Sequence, residues 1–236
     1  MRVGLFDSGI GGLTVLKSLI KRYPNNEYIY FGDTANLPYG SKSIDELKKL
    51  AKHNIELLLS FNVDLVVIAC GTVSSNCLEY LKSNYNIPII DIISPTINYL
   101  NNTEYNNIGV IATEATINSH IFKNSINTNV YEIATPKLVP LIESNNLSNI
   151  DNVLDEYLNL YKDKIDILVL GCTHYPLLYK YFNKYKFSVL DMAELINIDN
   201  NGNGKVNVYF SKVDNLLISN VKNILGNDIE INEIEQ

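Results

Sequence analysis

Cys70 and Cys172 are the residues of this chain best placed to do chemistry. Each ends a short apolar run, in VVIACGT at 66–72 and LVLGCTH at 168–174, and each is followed within two positions by a threonine. A thiolate is a competent base, but with an ordinary Cys pKa of about 8.5, holding one ionised at pH 7 costs about 2 kcal/mol. A helix amino terminus directly after each cysteine is expected to lower that cost. Asp7 closes the first apolar run and His174 stands two residues beyond Cys172, so each thiol has a polar group that could take or return its proton. Two thiols reaching one carbon from opposite sides could remove a proton from one face and deliver one to the other. That is inversion at the α-carbon of an amino acid, with the roles exchanged for the opposite enantiomer. Backbone amides and the hydroxyls of Ser8, Thr72 and Thr173, at expected helix starts, are natural donors to the carboxylates of such a substrate.

The elements that must position these groups alternate. Residues 2–6 read as a strand, followed by a glycine-rich turn and a helix carrying Leu13, Leu16, Leu19 and Ile20. A strand at 27–31, a loop with Pro38 and Gly40, a helix over 43–60, a run VDLVVIA at 63–69, a helix over 73–84 and a strand near 87–93 follow. Runs apolar at consecutive positions suit strands covered on both faces of a parallel sheet. Ser94 and Pro95 then interrupt, and the alternation restarts at 107–113. Strands are expected at 129–134, 165–170, 187–191 and 206–210, with helices at 137–144, 148–162, 175–185 and near 212–225. The stretch 199–205 reads as a crossing loop, and the acidic tail from Asp228 is expected to fray. Strands alternating with helices place the chain in the α/β class.

The pattern also repeats. The two cysteine segments match each other, and VGLFDSGIGG from Val3 resembles IGVIATEATI from Ile108, with nearly the same interval separating both pairs. This implies two pseudo-symmetric α/β domains with mainly parallel central sheets and a cleft between them. The expected division is 1–95 plus 207–236 for the first domain and 96–206 for the second. Cys70 and Cys172 then occupy equivalent strand ends, the edge where open α/β sheets bind ligands.

Composition narrows the alternatives. With 46% hydrophobic and 19% charged residues the chain can bury a substantial core. No apolar run approaches the ~20 residues of a membrane span, and MRVGLFDSG lacks a signal peptide's apolar stretch, so a cytoplasmic protein is expected. Nineteen basic against 26 acidic residues give a net charge of −7, with no basic cluster suited to nucleic acid. Three cysteines cannot all enter a closed set of disulfides.

Plainer readings stand beside these. A cysteine at a strand end is often core filler, and Cys77, on an expected helix, is read as packing. Cys70 and Cys77 have the wrong spacing for zinc. His53 and His120 are read as surface or capping residues. Asp7 could simply cap the helix that follows it. DSGIGG lacks the GxGxxG spacing and a Walker lysine. DNNGNG opens like a calcium loop, but its twelfth position is Phe210 where a bidentate Glu is needed.

Six segments together carry a wider resemblance. FDSGIGGLTVL at 6–16, YFGDTANLPYGSKS at 30–43, VIACGT at 67–72, ATEATI at 112–117, VPLIE at 139–143 with Pro136 just ahead, and LGCTHYPLL at 170–178 run over most of the chain in one order. In these the chain resembles the cofactor-independent aspartate/glutamate racemases. The resemblance implies Cys70 and Cys172 as the two catalytic bases, Asp7 and His174 as their assistants, and Glu143 as a further proton-relay residue. It implies substrate contacts from Asp7, Ser8, Tyr39, Gly40, Gly71, Thr72, Thr116, Thr173 and His174. The implied activity is interconversion of L- and D-glutamate without pyridoxal phosphate, metal or other cofactor, supplying D-glutamate for peptidoglycan, in a homodimer. The alternatives are a relative acting on aspartate or another amino acid, and a catalytically weak protein that binds an acidic amino acid. One position departs from the pattern: Gly71 stands where the family usually has Asn. A backbone contact there would survive the change. A side-chain hydrogen bond to a charged substrate, worth ~1.5–3 kcal/mol, would be lost.

Overall fold

In the computed structural model, which describes residues 1–161 and 163–234, the chain alternates strand and helix from its first residues. The first series is β1 (Arg2–Asp7), α1 (Gly12–Arg22), β2 (Glu27–Gly32), α2 (Ile44–Ser60), β3 (Leu65–Ile68), α3 (Gly71–Asn84) and β4 (Ile89–Asp91). After α4 (Ile93–Asn101) comes a second series. It comprises β5 (Asn107–Ala112), α5 (Glu114–Asn118), α6 (Ile121–Ser125), β6 (Asn129–Ala134), α7 (Leu138–Glu143), α8 (Ile150–Leu158), β7 (Ile167–Leu170), α9 (Tyr179–Phe182) and β8 (Ser188–Asp191). The chain then returns to the first sheet with β9 (Val206–Phe210), α10 (Asn215–Leu225) and β10 (Ile231–Glu233).

All strand pairs are parallel. The six-stranded sheet runs β10-β9-β2-β1-β3-β4 and the four-stranded sheet β6-β5-β7-β8. The orders 2-1-3-4 and 6-5-7-8 are the same topology, and the registers agree as well. Gly4 pairs with Val66 as Gly109 pairs with Leu168, and Phe6 with Ile68 as Ile111 with Leu170. The duplication read from the sequence is thus present in the pairing itself.

Alternation along β1 and β3 explains the layering. Val3, Leu5, Leu65, Val67 and Ala69 face the α1 side, in a buried cluster that continues through Ile108, Val110 and Leu168 of the other sheet. Phe6, Val66, Ile68 and Cys70 face α2 and α3, where they meet Leu47, Ile55, Leu58 and Leu81. Successive side chains of a strand point to opposite faces, so continuously apolar strands bury both. Cys77 belongs to this second cluster and is buried, as a packing residue should be. Among the described residues, no helix is long and apolar enough to cross a membrane.

Four elements differ from expectation. Ser94 and Pro95 begin α4 rather than interrupting the chain. The Asp91 carboxylate accepts from the backbone N–H groups of Ile93 and Ser94, each at 2.8 Å, and Pro95 lies in the first turn, where its missing N–H is not needed. The helix expected over 175–185 is a 3₁₀ turn, Tyr175–Leu178, followed by the four-residue α9. Pro176 opens the turn, and the Tyr175 hydroxyl is held to the Thr135 hydroxyl at 2.5 Å. The helix expected over 148–162 is α8 with a 3₁₀ turn to Tyr161, and residue 162 lies outside the described residues. The acidic tail does not fray through 233: Ile231, Asn232 and Glu233 pair with Val208, Tyr209 and Phe210.

Asp91 stands where the chain leaves the first sheet, buried at 2% exposure. Replacing it by alanine removes the acceptor for two amides at the start of α4. Asp91→Ala is expected to cost about 0.5–2 kcal/mol. In urea unfolding the midpoint falls while the slope is unchanged.

Candidate active site

The carboxyl ends of β1, β3 and β7 meet at one cavity of about 100 Å³. Drug-sized ligands occupy roughly 300–1,000 Å³, so this is room for a small molecule and not for a nucleotide. Ten of the residues singled out from the sequence line it. Asp7 and Ser8 come from the end of β1 and the turn after it, and Tyr39 and Gly40 from the loop after β2. Cys70, Gly71 and Thr72 come from the junction of β3 with α3, and Cys172, Thr173 and His174 from the turn after β7. Cys70 and Cys172 face this one cavity from equivalent positions in the two sheets.

Two expected site residues stand behind the lining. Thr116 is fully buried, and its hydroxyl meets that of Thr113 at 3.0 Å; Thr113 in turn meets the Thr72 hydroxyl at 2.9 Å. Thr113, which the sequence reading passed over, is the residue that lines the cavity. The repeat carried the signal, since Thr113 is the counterpart of Ser8 when VGLFDSGIGG is laid on IGVIATEATI. Glu114, Thr135 and Val139 also line the wall without having been singled out. Glu143, at the end of α7, lies behind His174 and accepts from its Nε2 at 2.6 Å and from the Ile10 amide at 3.1 Å.

The two cysteines have different surroundings. Asp7 accepts from the Gly12 amide and from the Thr173 hydroxyl at 3.1 Å, and the Cys70 thiol donates to it. Burial raises the Asp7 carboxyl above the ordinary carboxylate value, against the opposing pull of His174 and of the Ser8 and Gly12 amides. Burial, and after it the Asp7 charge, push the Cys70 thiol well up; the Val73 amide at the start of α3 offsets this only in part. The helix terminus does act in the expected direction, but the expectation that it eases ionisation of this thiol is corrected, because burial outweighs it. Cys70 rests as a neutral thiol beside an acid that can take its proton.

At Cys172 there is no such helix, because only the 3₁₀ turn follows it. Its sulfur instead lies 3.6 Å from Nδ1 of His174. Burial works against a charged imidazole there. Hydrogen bonds to the Cys172 sulfur and the Glu143 carboxylate, with their charges, outweigh it and hold the His174 pKa well above its ordinary value. The His174 ring is thus held between a sulfur and a carboxylate, both of which favour its protonated form.

The glycines of the DSGIGG turn permit this arrangement. A Cβ on Gly9 would collide with the Glu143 carboxylate, and one on Gly11 with the His174 ring. Neither has a positive φ, so what each supplies is close approach and not an unusual turn. Tyr39 contributes its ring to the wall while its hydroxyl is engaged elsewhere, donating to Asp33 and accepting from Asn54 at 3.1 Å. Among the described residues, no group of three or more His, Cys, Asp or Glu side chains could hold a metal ion.

The sequence model of the Asp/Glu/Hydantoin racemase family matches residues 13–196. The chain is 36% identical over 244 residues to the glutamate racemase of Aquifex aeolicus, covering 98% of this chain and 96% of the other. It is 42% identical over 202 residues to that of Fusobacterium nucleatum, covering 81% of this chain and 76% of the other. The crystal structure of glutamate racemase from Francisella tularensis in complex with D-glutamate superposes with a TM-score of 0.88 at 32% identity, over 100% of this chain and 97% of that one. With matches of this extent in sequence and fold, the chain belongs to the Asp/Glu/Hydantoin racemase family and is an amino-acid racemase, an isomerase.

Proposed function

We propose that the protein interconverts L- and D-glutamate by two-base proton transfer, with Cys70 and Cys172 as the bases, using no cofactor. One observation carries the reading: two cysteines at equivalent ends of duplicated strands line one small cavity, each beside its own proton-handling group. The full-length similarity to glutamate racemases supports glutamate as the substrate.

In this mechanism one sulfur takes the α-proton and the electron pair of the broken C–H bond passes into the α-carboxylate. The thiol on the other face then donates its proton to the carbon. Asp7 takes the Cys70 proton when that cysteine must act as base, and gives it back in the reverse direction. His174, with Glu143 behind it, does the same for Cys172: the neutral ring takes the Cys172 proton, Glu143 stabilises the imidazolium so formed, and the proton is given back in the reverse direction. The substrate carboxylates bind to hydroxyls and amides of Ser8, Gly71, Thr72, Thr113 and Thr173, with Tyr39 and Gly40 closing the wall. Thr116 serves the substrate through Thr113. The cleft lies between domains formed by 1–95 with 207–236 and by 96–206. The enzyme works in the cytoplasm, as the homodimer that the family resemblance implies, and its D-glutamate supplies peptidoglycan synthesis.

Circular dichroism of L-glutamate with the purified protein and no added cofactor tests this directly. The glutamate signal should decay to zero while a parallel L-aspartate sample holds its signal. Decay with aspartate alone would move the substrate assignment, and no decay with either would overturn the reading. Cys70→Ser and Cys172→Ser should each lower racemisation by roughly 10²–10⁴-fold or more, the usual worth of a positioned acid or base.

The His174 ring gives a pH test. Its NMR titration midpoint should lie well above the ordinary ~6.5 and should fall in Glu143→Gln, which removes one of the two groups holding the proton. Because the folded pKa is raised, the stability this pair contributes is whole below pH ~6.5 and is lost as pH climbs through the folded value. A midpoint unmoved by Glu143→Gln would remove Glu143 from the relay.

A further inference from the structure

Gly71 and Gly171 adjoin the two cysteines, one directly after Cys70 and the other directly before Cys172, and their backbones touch. A Cβ built on Gly71 would lie 2.7 Å from the Gly171 carbonyl oxygen, too close for any side chain and against an atom that cannot swing aside. Gly171 has nowhere to withdraw. Its amide donates to the Ile111 carbonyl at 2.8 Å, continuing the β5–β7 ladder, and a Cβ there would stand 2.8 Å from that same oxygen and 2.9 Å from the Ala112 Cβ. On the other side, Gly71 opens α3, and the Cys70 carbonyl accepts from the Ser74 amide at 2.9 Å in that helix's first turn. Whatever displaces Gly71 therefore moves Cys70 with it, while Cys172 stays fixed to β7.

We infer that Gly71 is a positioning residue: its backbone contact with Gly171 sets the gap between the two thiols across which the α-carbon is inverted. This rests on the two-thiol reading above. At this separation a side chain does not fit, so the contact requires glycine at position 71.

The consequence separates two reactions that share their first step. Either cysteine alone can exchange the α-proton with solvent. Its sulfur takes the proton, the S–H trades it for a deuteron of D₂O, and the same sulfur returns the deuteron, so a C–H bond breaks, a C–D bond forms and configuration is kept. Inversion needs both sulfurs within reach of one carbon. Widening the gap should therefore harm inversion far more than exchange.

The test compares wild type with Gly71→Ala in D₂O on L-glutamate. Loss of the α-proton signal is followed by NMR, and D-glutamate by chiral chromatography. A misplacement of 1 Å can cost about 10²-fold in rate. Racemisation should fall on that order and the ratio of retained exchange to inversion should rise about tenfold or more, with kcat affected more than KM. A ratio at the wild-type value, whether both rates fall together or neither does, overturns the inference. Thermal unfolding checks that the variant is folded. Should Gly71→Ala not fold, Gly71→Ala with Ala112→Gly, which leaves Gly171 room to retreat, must show the raised ratio in its place; a wild-type ratio there overturns the inference equally. Wild-type racemisation is read in the same experiment, so failure of the glutamate assignment is seen separately from failure of the role of Gly71.

Discussion

A single buried carboxylate ties the site together. Asp7 ends β1, accepts from the Gly12 amide of its own turn and from the Thr173 hydroxyl of the turn after β7, and lies against the Cys70 thiol. A carboxylate taken out of water is tolerated only with such donors around it. Because one of those donors belongs to the other sheet, the solvation of Asp7 and the joining of the two halves are one event. The Thr173 carbonyl makes a second link, accepting from Thr14 of α1 at 2.9 Å.

The two halves share topology and register, yet they handle charge differently. The Cys70 side is acidic and neutralised by burial: a raised carboxyl faces a raised thiol, and at most one negative charge is comfortable there. On the Cys172 side the sulfur and Glu143 favour the protonated form of His174 from both ends. Duplication thus supplied two similar scaffolds, and the residues that tune them diverged. Asp7 falls opposite Ala112 in the repeat, while His174 and Glu143 have no ionisable counterparts on the first side. The two sides of the cavity are thus alike in strand order and register and unlike in electrostatics.

Much of this was legible in the amino-acid sequence, for local reasons. Consecutive apolar residues in 65–68 and 167–170 mark strands buried on both faces, and the matched cysteine segments point to two strand ends that the fold brings to one cavity. What escaped depended on contacts far apart in the chain. Nothing near Glu143 in sequence announces His174, and nothing near Tyr175 announces Thr135, whose hydroxyl helps to hold a 3₁₀ turn where a helix was expected. The Cys70 thiol was misjudged because a helix terminus is a local feature, whereas the burial that outweighs it comes from the whole fold. The glycines of the DSGIGG turn were read as turn formers. The need at Gly9 and Gly11 comes from Glu143 and His174, side chains that pack on them from the other sheet's elements, and at Gly12 from Asp7 and Tyr30 of the first sheet.

The return of the chain to the first sheet also bears on the order of assembly. Tyr28 of β2 pairs with Val206 of β9, so the first sheet stays open at that edge until the chain beyond residue 206 exists. The four-stranded sheet is complete by residue 191. During synthesis the later half therefore closes first, while β2 waits with an unpaired edge. The Asn220 side chain of α10 donates to the Glu143 carbonyl at 3.1 Å, so a helix that emerges after both cysteines also buttresses the Glu143–His174 pair beside Cys172. A nascent chain can thus hold both thiols well before that buttress is in place.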